Sequence, residues 1–255
     1  MERHLKIATY NIHKGMSTFN RRHTLHDLKI ALDSLRADLV FLQEVQGEHR
    51  RRAERHADWP DQPQHSFLAG DHDHVYGRNA VYHGGHHGNA VLSRYPIVGW
   101  HNLDISVNRL ERRGLLHASI QVPHWPVTLH ALCIHLNLRS GDRRMQLAAL
   151  IEYVREQIPA ESPLVMAGDF NDWRHEATRT LHDGLGLQEA FQQVHGRVAA
   201  SFPAHMPVLM LDRIYLRGFT VQAAEAHRGL PWSRLSDHAP LTAIVRLNEP
   251  ALAAA

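Results

Sequence analysis

The sequence lacks the features of disulfide-stabilised and membrane-spanning proteins. Its 255 residues include a single cysteine, Cys133, which excludes an internal disulfide and a zinc site built on several cysteines. No uncharged apolar run approaches the ~20 residues that a transmembrane helix needs, so no membrane span is expected. The N-terminal residues show no apolar core of a signal peptide, which favours a cytoplasmic location.

An excess of one charge is also missing. The chain carries 28 Lys and Arg against 26 Asp and Glu, which gives a formal net charge of +2. On bulk charge, this balance does not indicate a nucleic-acid-binding protein, and lysine itself is scarce. The 23 histidines are unusual, but they add positive charge only in acid.

The chain shows no linker rich in Gly, Ser or Pro and no low-complexity block. Its 44% hydrophobic residues are enough to bury a sizeable core. We therefore expect a monomer with one domain over residues 1–255, whose core lies within residues 5–247.

Apolar periodicity predicts both helices and strands. Helical spacing appears over 23–35 and 142–158, and a short helix is expected over 175–182. The polar segment 46–64, with its arginine run and two prolines, is expected to be exposed. Short apolar runs predict strands at 5–12, 38–42, 80–82, 89–93, 97–105, 115–122, 127–136, 163–169, 211–216, 219–224 and 239–247. This pattern favours two sheets packed face to face, with helices outside and a cleft at their shared rim.

Polar residues interrupt five of these apolar runs. A buried carboxylate or amide is costly unless it is paired, hydrogen-bonded or bound to a metal, so five such placements indicate a site. The residues concerned are Asn11, Glu44, Asp169 with Asn171, Asp212, and Asp237 with His238.

Phosphoester hydrolysis is a chemistry that such residues can perform. It uses a metal to offset phosphoryl charge and an activated water. Mg²⁺ or Mn²⁺ prefers carboxylate and amide oxygens, so Glu44 and Asp237, with Asn11 nearby, are the candidate ligands. Taken alone, Glu44 fits a salt bridge at a strand end equally well.

His238 is a candidate general base or a stabiliser of phosphoryl charge. A catalytic imidazole needs an orienting acceptor, and Asp212 is the candidate partner. The alternative is an ion pair of Asp212 with Arg213. Adjacent strand residues face opposite sides of a sheet, which disfavours that pair.

Asp169 and Asn171 are two residues apart. On a continuing strand their side chains face one way, where a carboxylate can orient water and an amide can hold phosphate. The alternative is an Asx-turn at the end of the strand.

Other candidates lie at strand ends and in loops. His135 ends the run 127–136, where a lone histidine is more often structural. Arg78 and Asn89 are candidate phosphate contacts, although surface turns use the same residue types. The pair His86–His87 has no third ligand at zinc-site spacing, and we interpret it as part of a substrate-contacting or polar loop.

Six motifs in order resemble the endonuclease/exonuclease/phosphatase superfamily, whose fold deoxyribonuclease I and exonuclease III share. The resemblance covers residues 5–247, and its specificity comes from six modest motifs in the family order. They are Thr9-Tyr10-Asn11-Ile12, Leu42-Gln43-Glu44-Val45, Gly88-Asn89-Ala90-Val91-Leu92-Ser93-Arg94, Gly168-Asp169-Phe170-Asn171, Leu211-Asp212-Arg213-Ile214 and Ser236-Asp237-His238-Ala239-Pro240.

The resemblance implies an α/β fold, a four-layer α-β-β-α sandwich of two mainly antiparallel sheets. It also implies cleavage of a phosphoester with Mg²⁺ or Mn²⁺. The roles that it implies are metal binding for Glu44, Asn11 and Asp237, and positioning of water and phosphate for Asp169 and Asn171. For His238, oriented by Asp212, and for His135, it implies contacts to the phosphate. His13 and Lys14 replace an acidic residue of some nucleases, and Lys14 adds positive charge near the phosphate.

Further motifs, among them Tyr10-Asn11-Ile12-His13-Lys14-Gly15, resemble an uncharacterised bacterial subgroup. The expected function is that of a phosphodiesterase or nuclease, acting on nucleic acid or a phospholipid-type substrate. A phosphomonoesterase or phospholipid head-group hydrolase is the alternative on the same core. A non-enzymatic scaffold is disfavoured because every core position is chemically competent.

Overall fold

Two mixed sheets of six strands each form the centre of the molecule. The computed structural model describes residues 4–18, 22–56 and 59–249. The strands in chain order are β1 His4–Asn11, β2 Leu39–His49, β3 Asp73–Tyr82, β4 Gly85–Ser93, β5 Ile97–Asp104, β6 Gly114–Ile120, β7 Leu129–His135, β8 Leu164–Asp169, β9 Gln188–Glu189, β10 Asp212–Arg217, β11 Phe219–Ala226 and β12 Leu241–Leu247. The first sheet has the order β11-β12-β1-β2-β4-β3, and the second has the order β5-β6-β7-β8-β10-β9.

Each sheet contains one parallel pair, and its other pairs are antiparallel. β1 runs parallel to β2, and β7 runs parallel to β8. Each pair is joined by a helical crossover, because parallel strands cannot be joined by a tight turn. The carboxyl ends of β1 and β2, and of β7 and β8, therefore meet at the same end of their sheets.

Helices cover the outer faces of both sheets, which confirms the expected four layers. They are α1 Leu25–Leu35, α2 Arg50–Arg55, α3 Gln64–Ala69, α4 Ser140–Gln157, α5 Glu176–Leu185, α6 Ala190–His195 and α7 Trp232–Leu235. Apolar side chains of α1, α3 and α7 pack on the first sheet, and those of α4 and α5 pack on the second. A third apolar cluster fills the space between the sheets. No helix in the described ranges is both long and apolar enough to cross a membrane.

The segment 46–64 is exposed or partly exposed over most of its described residues, as predicted, but it is not a loop throughout and its two end residues are buried; residues 57 and 58 lie outside the described ranges. β2 continues to His49, and the arginines that follow form α2. Gln46 and Gln64 are buried, and the Gln46 backbone N–H donates to Gln64 Oε1 at 2.8 Å. Gln64 Nε2 donates in turn to the carbonyl of Lys14 at 2.9 Å. At these two ends of the segment the amide N–H groups donate within the protein, so polar composition did not mean exposure there.

Several histidines are built into the fold as neutral, largely buried groups. His117 of β6 and His130 of β7 share a hydrogen bond of 2.9 Å, and His117 also contacts the Tyr153 hydroxyl of α4 at 3.0 Å. Burial, with smaller contributions from neighbouring positive charge, lowers the pKa of each imidazole to about 4. The same causes lower the pKa values of His65 and His87 to about 4.

These histidines predict a loss of stability in mild acid. Their pKa values are lower in the folded chain than in the unfolded chain, so below about pH 6.5 the unfolded state takes up protons first. The free energy of unfolding should therefore fall between about pH 6.5 and about pH 4. For His130 the loss at pH 5 should be on the order of 1 kcal/mol after allowance for solvent screening.

Urea unfolding of the parent at pH 7.5 and pH 5 measures this effect. The His130→Gln variant should lose less stability than the parent between the two pH values. The exposed His182, changed to Gln, is the matched control and should follow the parent. Equal pH dependence in all three proteins would contradict the assignment.

Candidate active site

The site lies where the parallel strand pairs end at one rim of the sandwich. Asn11 ends β1, His135 ends β7, Asp169 ends β8, and Asp212 begins β10. In the strand registers, Asp169 is paired with His135 on one side and with Asp212 on the other. Sheet pairing therefore brings together residues that are far apart in sequence.

Asp212 and His238 form a buried hydrogen-bonded pair, as predicted. His238 Nδ1 lies 2.7 Å from Asp212 Oδ2. On its other side, His238 Nε2 lies 3.8 Å from Asp169 Oδ2, which is also 3.5 Å from His135 Nε2. Asp169 thus lies between two imidazoles, and it is an acidic neighbour of His135 that the sequence did not reveal.

The charges around His238 favour its protonated form. Burial lowers the pKa of His238, but the charges of Asp212, then Asp169 and Asp237, outweigh burial and raise it to about 10. The imidazolium is then the form present at neutral pH, where it can donate a hydrogen bond or a proton. Of the two roles considered for His238, charge stabilisation fits better than general base.

Asp169 is a carboxyl group whose surroundings raise its affinity for a proton. Burial raises the pKa of Asp169; the positive charge of His238 opposes this rise, and the negative charge of Asp212 adds to it. Burial also lowers the pKa of His135 well below its usual value, with Arg113 adding to the effect. The rim therefore places a carboxylate of raised proton affinity beside one cationic and one neutral imidazole.

Asp169 and Asn171 do not share one strand face, and that prediction is wrong. β8 ends at Asp169, and Asn171 has a φ of 49°. The Asn171 backbone N–H donates to Asp169 Oδ1 at 2.9 Å, and Asn171 Nδ2 donates to the carbonyl of Leu136 at 3.0 Å. The Asx-turn considered as the alternative is the structure that forms, because the aspartate side chain captures the backbone N–H two residues on.

Asn11 links the two sheets at the rim. Its Nδ2 donates to Asp169 Oδ2 at 3.1 Å, and its Oδ1 accepts the backbone N–H of His13 at 3.1 Å. A flipped amide would lose both bonds, which fixes its orientation. Oδ1 keeps a second lone pair, so Asn11 can still act as an amide-oxygen ligand.

Glu44 sits at a β-bulge that the sequence did not reveal. The register between β2 and β4 shifts between Leu42 and Val45, and Glu44 has a φ of 56°. Such a conformation costs on the order of 1–3 kcal/mol in a residue other than glycine, and it is typical of functional sites. Bulges re-aim side chains next to active sites, and this one directs Glu44 to the turn at Lys14.

Lys14 lies against Glu44 rather than standing free for substrate. Its Nζ is 2.9 Å from Glu44 Oε2, an atom that is buried and has no partner of hydrogen-bond geometry. Burial alone would raise the pKa of Glu44, but the adjacent Lys14 ammonium, by its charge and its hydrogen bond, holds it far below its usual range. Glu44 is therefore an ionised carboxylate with an oxygen directed at a cation.

The donors at this position fit a hard divalent cation. Glu44 supplies the under-coordinated carboxylate oxygen, and Asn11 supplies an amide oxygen. Asp237, which is partly exposed, lies with its Oδ1 3.9 Å from His13 Nδ1. Oxygen donors with a single buried carboxylate match the preference of Mg²⁺ and Mn²⁺. The Lys14 ammonium shows that a positive charge is accepted there.

Asp169, Asp212 and His238 also bring potential ligand atoms within 4.8 Å of one another. Their geometry is that of a proton network, because the 2.7 Å bond uses His238 Nδ1 and a carboxylate oxygen of Asp212. A protonated imidazole carries positive charge and disfavours a second cation beside it. Glu44 is thus the better candidate for the metal.

Arg78 and Asn89 are placed away from these contacts. Arg78 is exposed on β3, where its charge affects the pKa of His86. Asn89 is buried between the sheets, and its Nδ2 donates to the carbonyls of Gly114 and Cys133 at 2.9 and 3.3 Å. These bonds explain Asn89 as a link between the sheets, so its role toward substrate stays a prediction.

Arg213 does not pair with the carboxylate of Asp212. Its side chain is fully buried, and Nη1 donates to the carbonyls of Met210 and Asp212 at 2.5 and 2.9 Å. Nη2 donates to the carbonyl of Asp172 at 3.0 Å. Adjacent strand residues therefore face opposite sides here, as predicted, and Arg213 fixes the chain on both sides of the strand ends at this rim.

Two arginines and one histidine lie in the electrostatic surroundings of Glu44 and His135, and the sequence indicated His87 as part of a loop that is polar or contacts substrate. Arg52 approaches the carbonyl of Lys14 at 3.4 Å, and Glu44 influences the pKa of Arg52. Arg113 donates to the carbonyl of Leu136 at 3.2 Å and lowers the pKa of His135. His87 is affected by Lys14 and Glu44. Arg52 lies on α2, His87 on β4 and Arg113 just before β6, so their proximity to the site depends on the fold rather than on a local sequence pattern.

A cleft of about 1430 Å³ adjoins the connections 196–211 and 227–240, which border this rim. It lies between α5, α6 and β11, and its lining includes Arg179, His195 and Arg228. None of the predicted site residues lines it, so its size does not indicate where the chemistry takes place.

Comparison with known proteins decides the family. The model of the Endonuclease/Exonuclease/phosphatase family matches residues 8–238. The chain belongs to this family. It is 47% identical over 244 residues to the "Uncharacterized protein YbhP" of Escherichia coli K12, covering 95% of this chain and 96% of that protein. A UPF0294 protein of Vibrio cholerae is 33% identical over 124 residues, 48% of this chain and 39% of that protein.

Solved structures of family members share the fold. An endonuclease/exonuclease/phosphatase from Bacteroides vulgatus has a TM-score of 0.76 at 18% identity and covers 96% of this chain and 99% of that one. The protein from Beutenbergia cavernae has a TM-score of 0.75 at 21% identity, over 97% and 72% of the two chains. Danio rerio TDP2, complexed with a single-strand DNA product, has a TM-score of 0.69 at 18% identity, over 95% and 99%.

The Asp212→Asn substitution tests the charge state of His238. In the metal-free parent, His238 should stay protonated up to about pH 10, whereas in the variant it should titrate at lower pH. Nitrogen-15 NMR of the imidazole measures the titration. The exposed Asp183, changed to Asn, is the control. An unshifted titration in Asp212→Asn would contradict the arrangement.

Proposed function

We propose that this family member is a metal-dependent phosphoesterase, and in particular a phosphodiesterase or nuclease that hydrolyses a P–O bond. The carrying observation is the Asp212–His238 hydrogen bond of 2.7 Å, with Asp169 on the far side of the imidazole. Asp169 is then the proton acceptor and His238 the proton donor at one rim, and hydrolysis by water requires both.

The proposed metal position is beside Glu44, with Asp237 and Asn11 as further oxygen donors. A bound Mg²⁺ or Mn²⁺ would offset negative charge on the phosphoryl oxygens. Glu44 fits because its carboxylate is ionised and its buried Oε2 already faces a positive charge, the Lys14 ammonium at 2.9 Å. The neighbouring charges of Lys14 and Arg113 would attract the phosphate of the substrate to the same place.

Three side chains carry the remaining roles in the proposed reaction. Asp169, whose pKa is raised by burial, orients the attacking water and accepts its proton. His238 is held by Asp212 and donates to a phosphoryl oxygen or to the departing oxygen, and neutral His135 contacts the phosphate. The water oxygen bonds to phosphorus, the P–O bond to the leaving group breaks, and the leaving oxygen takes up a proton.

The nuclease option draws support from Danio rerio TDP2, which was solved with a single-strand DNA product. At 18% identity that likeness concerns the fold, so it does not select a substrate. A phosphomonoesterase or phospholipid head-group hydrolase is the second candidate, favoured by the cations Lys14, Arg52 and Arg113 near Glu44. The cytoplasmic location and monomeric state stay predictions.

A hydrolysis screen with Mg²⁺ and Mn²⁺ tests the proposal. Its substrates are bis-p-nitrophenyl phosphate, p-nitrophenyl phosphate, single- and double-stranded DNA, RNA and phospholipids. Glu44→Gln should lower kcat at least ~10³-fold, because it removes the charged metal ligand. The exposed Glu48, changed to Gln, should keep the activity of the parent. Full turnover by Glu44→Gln in the presence of a chelator would overturn the proposal.

Lys14→Met tests the competition between the ammonium and the metal. Without the ammonium, Glu44 should bind Mn²⁺ several-fold more tightly, as measured by electron paramagnetic resonance. KM should rise, because a phosphate contact is lost. Lys29→Met on α1 is the matched control and should change neither quantity. Weaker Mn²⁺ binding in Lys14→Met would show that the lysine supports the metal site.

A further inference from the structure

Exposed apolar side chains accumulate on the segments that surround the candidate active site. Among the connections that leave strand ends at this rim, four of the second sheet and the one between β11 and β12 stand out, at 105–113, 136–139, 170–175, 196–211 and 227–240. Each of them exposes at least one large apolar side chain. The most exposed are Leu110 at 96%, Leu138 at 55%, Trp173 at 42%, Met206 at 65%, Val208 at 58% and Leu230 at 67%.

Three of these segments are bound to one another. The Leu138 backbone N–H approaches Glu111 Oε1 at 3.5 Å, which joins the Leu110 segment to the next one. Arg143 donates to the carbonyl of Leu138, and its guanidinium lies 5.0 Å from the centre of the Trp173 ring. The apolar side chains here are therefore presented by a fixed surface.

The segment 196–211 forms a hairpin directly over the catalytic imidazole. Phe202 and Leu209 pair as an antiparallel bridge, and the Phe202 ring centre lies 5.1 Å from that of His238. The Ala204 backbone N–H donates to the carbonyl of Asp237 at 2.7 Å. Met206 and Val208 lie between the paired ends of this hairpin and are exposed to solvent.

The same segments carry exposed positive charge. The exposed arginines are Arg109, Arg112, Arg139, Arg174, Arg197, Arg228 and Arg234, and Arg144 is exposed on the adjoining helix α4. The acidic side chains here are largely engaged within the protein, since Asp142 accepts hydrogen bonds from Asn108 and Asn137, and Asp172 accepts the N–H of Ala177. The rim is thus apolar and cationic at once, a combination suited to an anionic lipid surface.

We propose that this rim docks on a lipid surface with anionic head groups, and that the hydrolysed phosphoester belongs to a phospholipid of that surface. The substrate class rests on the proposed function, whereas docking does not. Water supplies the oxygen that bonds to phosphorus and the proton that the departing oxygen takes, so the lipid yields a phosphate monoester and an alcohol.

The side-chain types favour lipid over nucleic acid. Single strands are bound by aromatic stacking platforms beside positive charge. Here the exposed side chains near the site are mostly Leu, Met and Val, with Trp173 as the aromatic one among the six most exposed. Transfer of aliphatic side chains from water into acyl chains is favourable, whereas such side chains offer no surface on which bases can stack.

Co-sedimentation with vesicles tests docking independently of catalysis. The full chain is mixed, in EDTA, with phosphatidylcholine vesicles that contain or lack phosphatidylglycerol. Binding should require phosphatidylglycerol and weaken with salt. The Met206→Ser/Val208→Ser variant should bind at least ~10-fold more weakly, because two apolar insertions are lost. Leu230→Ser is a second rim variant and should weaken binding by a smaller factor.

Ile30→Ser/Val98→Ser is the matched control, because these side chains are 71% and 63% exposed but lie on α1 and β5, away from the rim. It should bind vesicles like the parent, and circular dichroism should show that all variants are folded. All should cleave a water-soluble phosphoester like the parent, while the rim variants cleave vesicle phosphatidylglycerol more slowly.

Three outcomes would overturn the inference. They are equal vesicle binding by parent and rim variants, no binding by the parent, or loss of single-stranded DNA binding rather than vesicle binding in the rim variants. Loss of soluble-substrate cleavage in Glu44→Gln, with docking unchanged, would leave the proposed function intact. Docking without hydrolysis of any phosphoester by the parent would instead contradict the proposed function and the lipid substrate.

Discussion

One buried hydrogen bond, from Asn11 Nδ2 to Asp169 Oδ2, joins the two sheets at the rim that carries the candidate active site. Asn11 ends a strand of the first sheet, and Asp169 ends a strand of the second. The bond fixes how the Glu44 side of the rim faces the His238 side. Because both partners are buried, loss of either one leaves an unsatisfied polar group at the junction of the sheets. The rest of the site depends on this alignment.

Charge is divided between the two sides of that bond. On the first sheet, cations led by Lys14 keep Glu44 ionised. On the second, Asp212 keeps His238 protonated, while burial raises the proton affinity of Asp169. One side therefore suits a metal ion and a phosphate, and the other suits proton transfer. Ionised Glu44 is paired with Lys14, and protonated His238 is paired with Asp212. Because each charge has its own partner, both can stay charged at one rim.

The sequence carried much of this information. Strand-end polar residues predicted the rim, and strand alternation correctly separated Asp212 from Arg213. It did not reveal the bulge at Glu44, because backbone strain leaves no local pattern when the residue is not glycine. It also misjudged Asn171, where a side-chain hydrogen bond ended the strand.

The sequence also did not predict which distant residues become neighbours in the fold. Asp169 beside His135, and Lys14 against Glu44, arise from strand register and from a turn held by Gln64. The same register places the exposed apolar segments around one opening. Periodicity predicts which residues are buried, whereas the meeting of distant strand ends depends on sheet order.

Anomalous diffraction from crystals grown with Mn²⁺ tests the central claim most directly. The account predicts a peak at Glu44, within coordination distance of a carboxylate oxygen, with the Lys14 ammonium displaced from its 2.9 Å contact. The Asp212–His238 hydrogen bond should remain. A peak held by Asp169, Asp212 and His238, with Lys14 still on Glu44, would contradict the division of the rim into a metal side and a proton-transfer side.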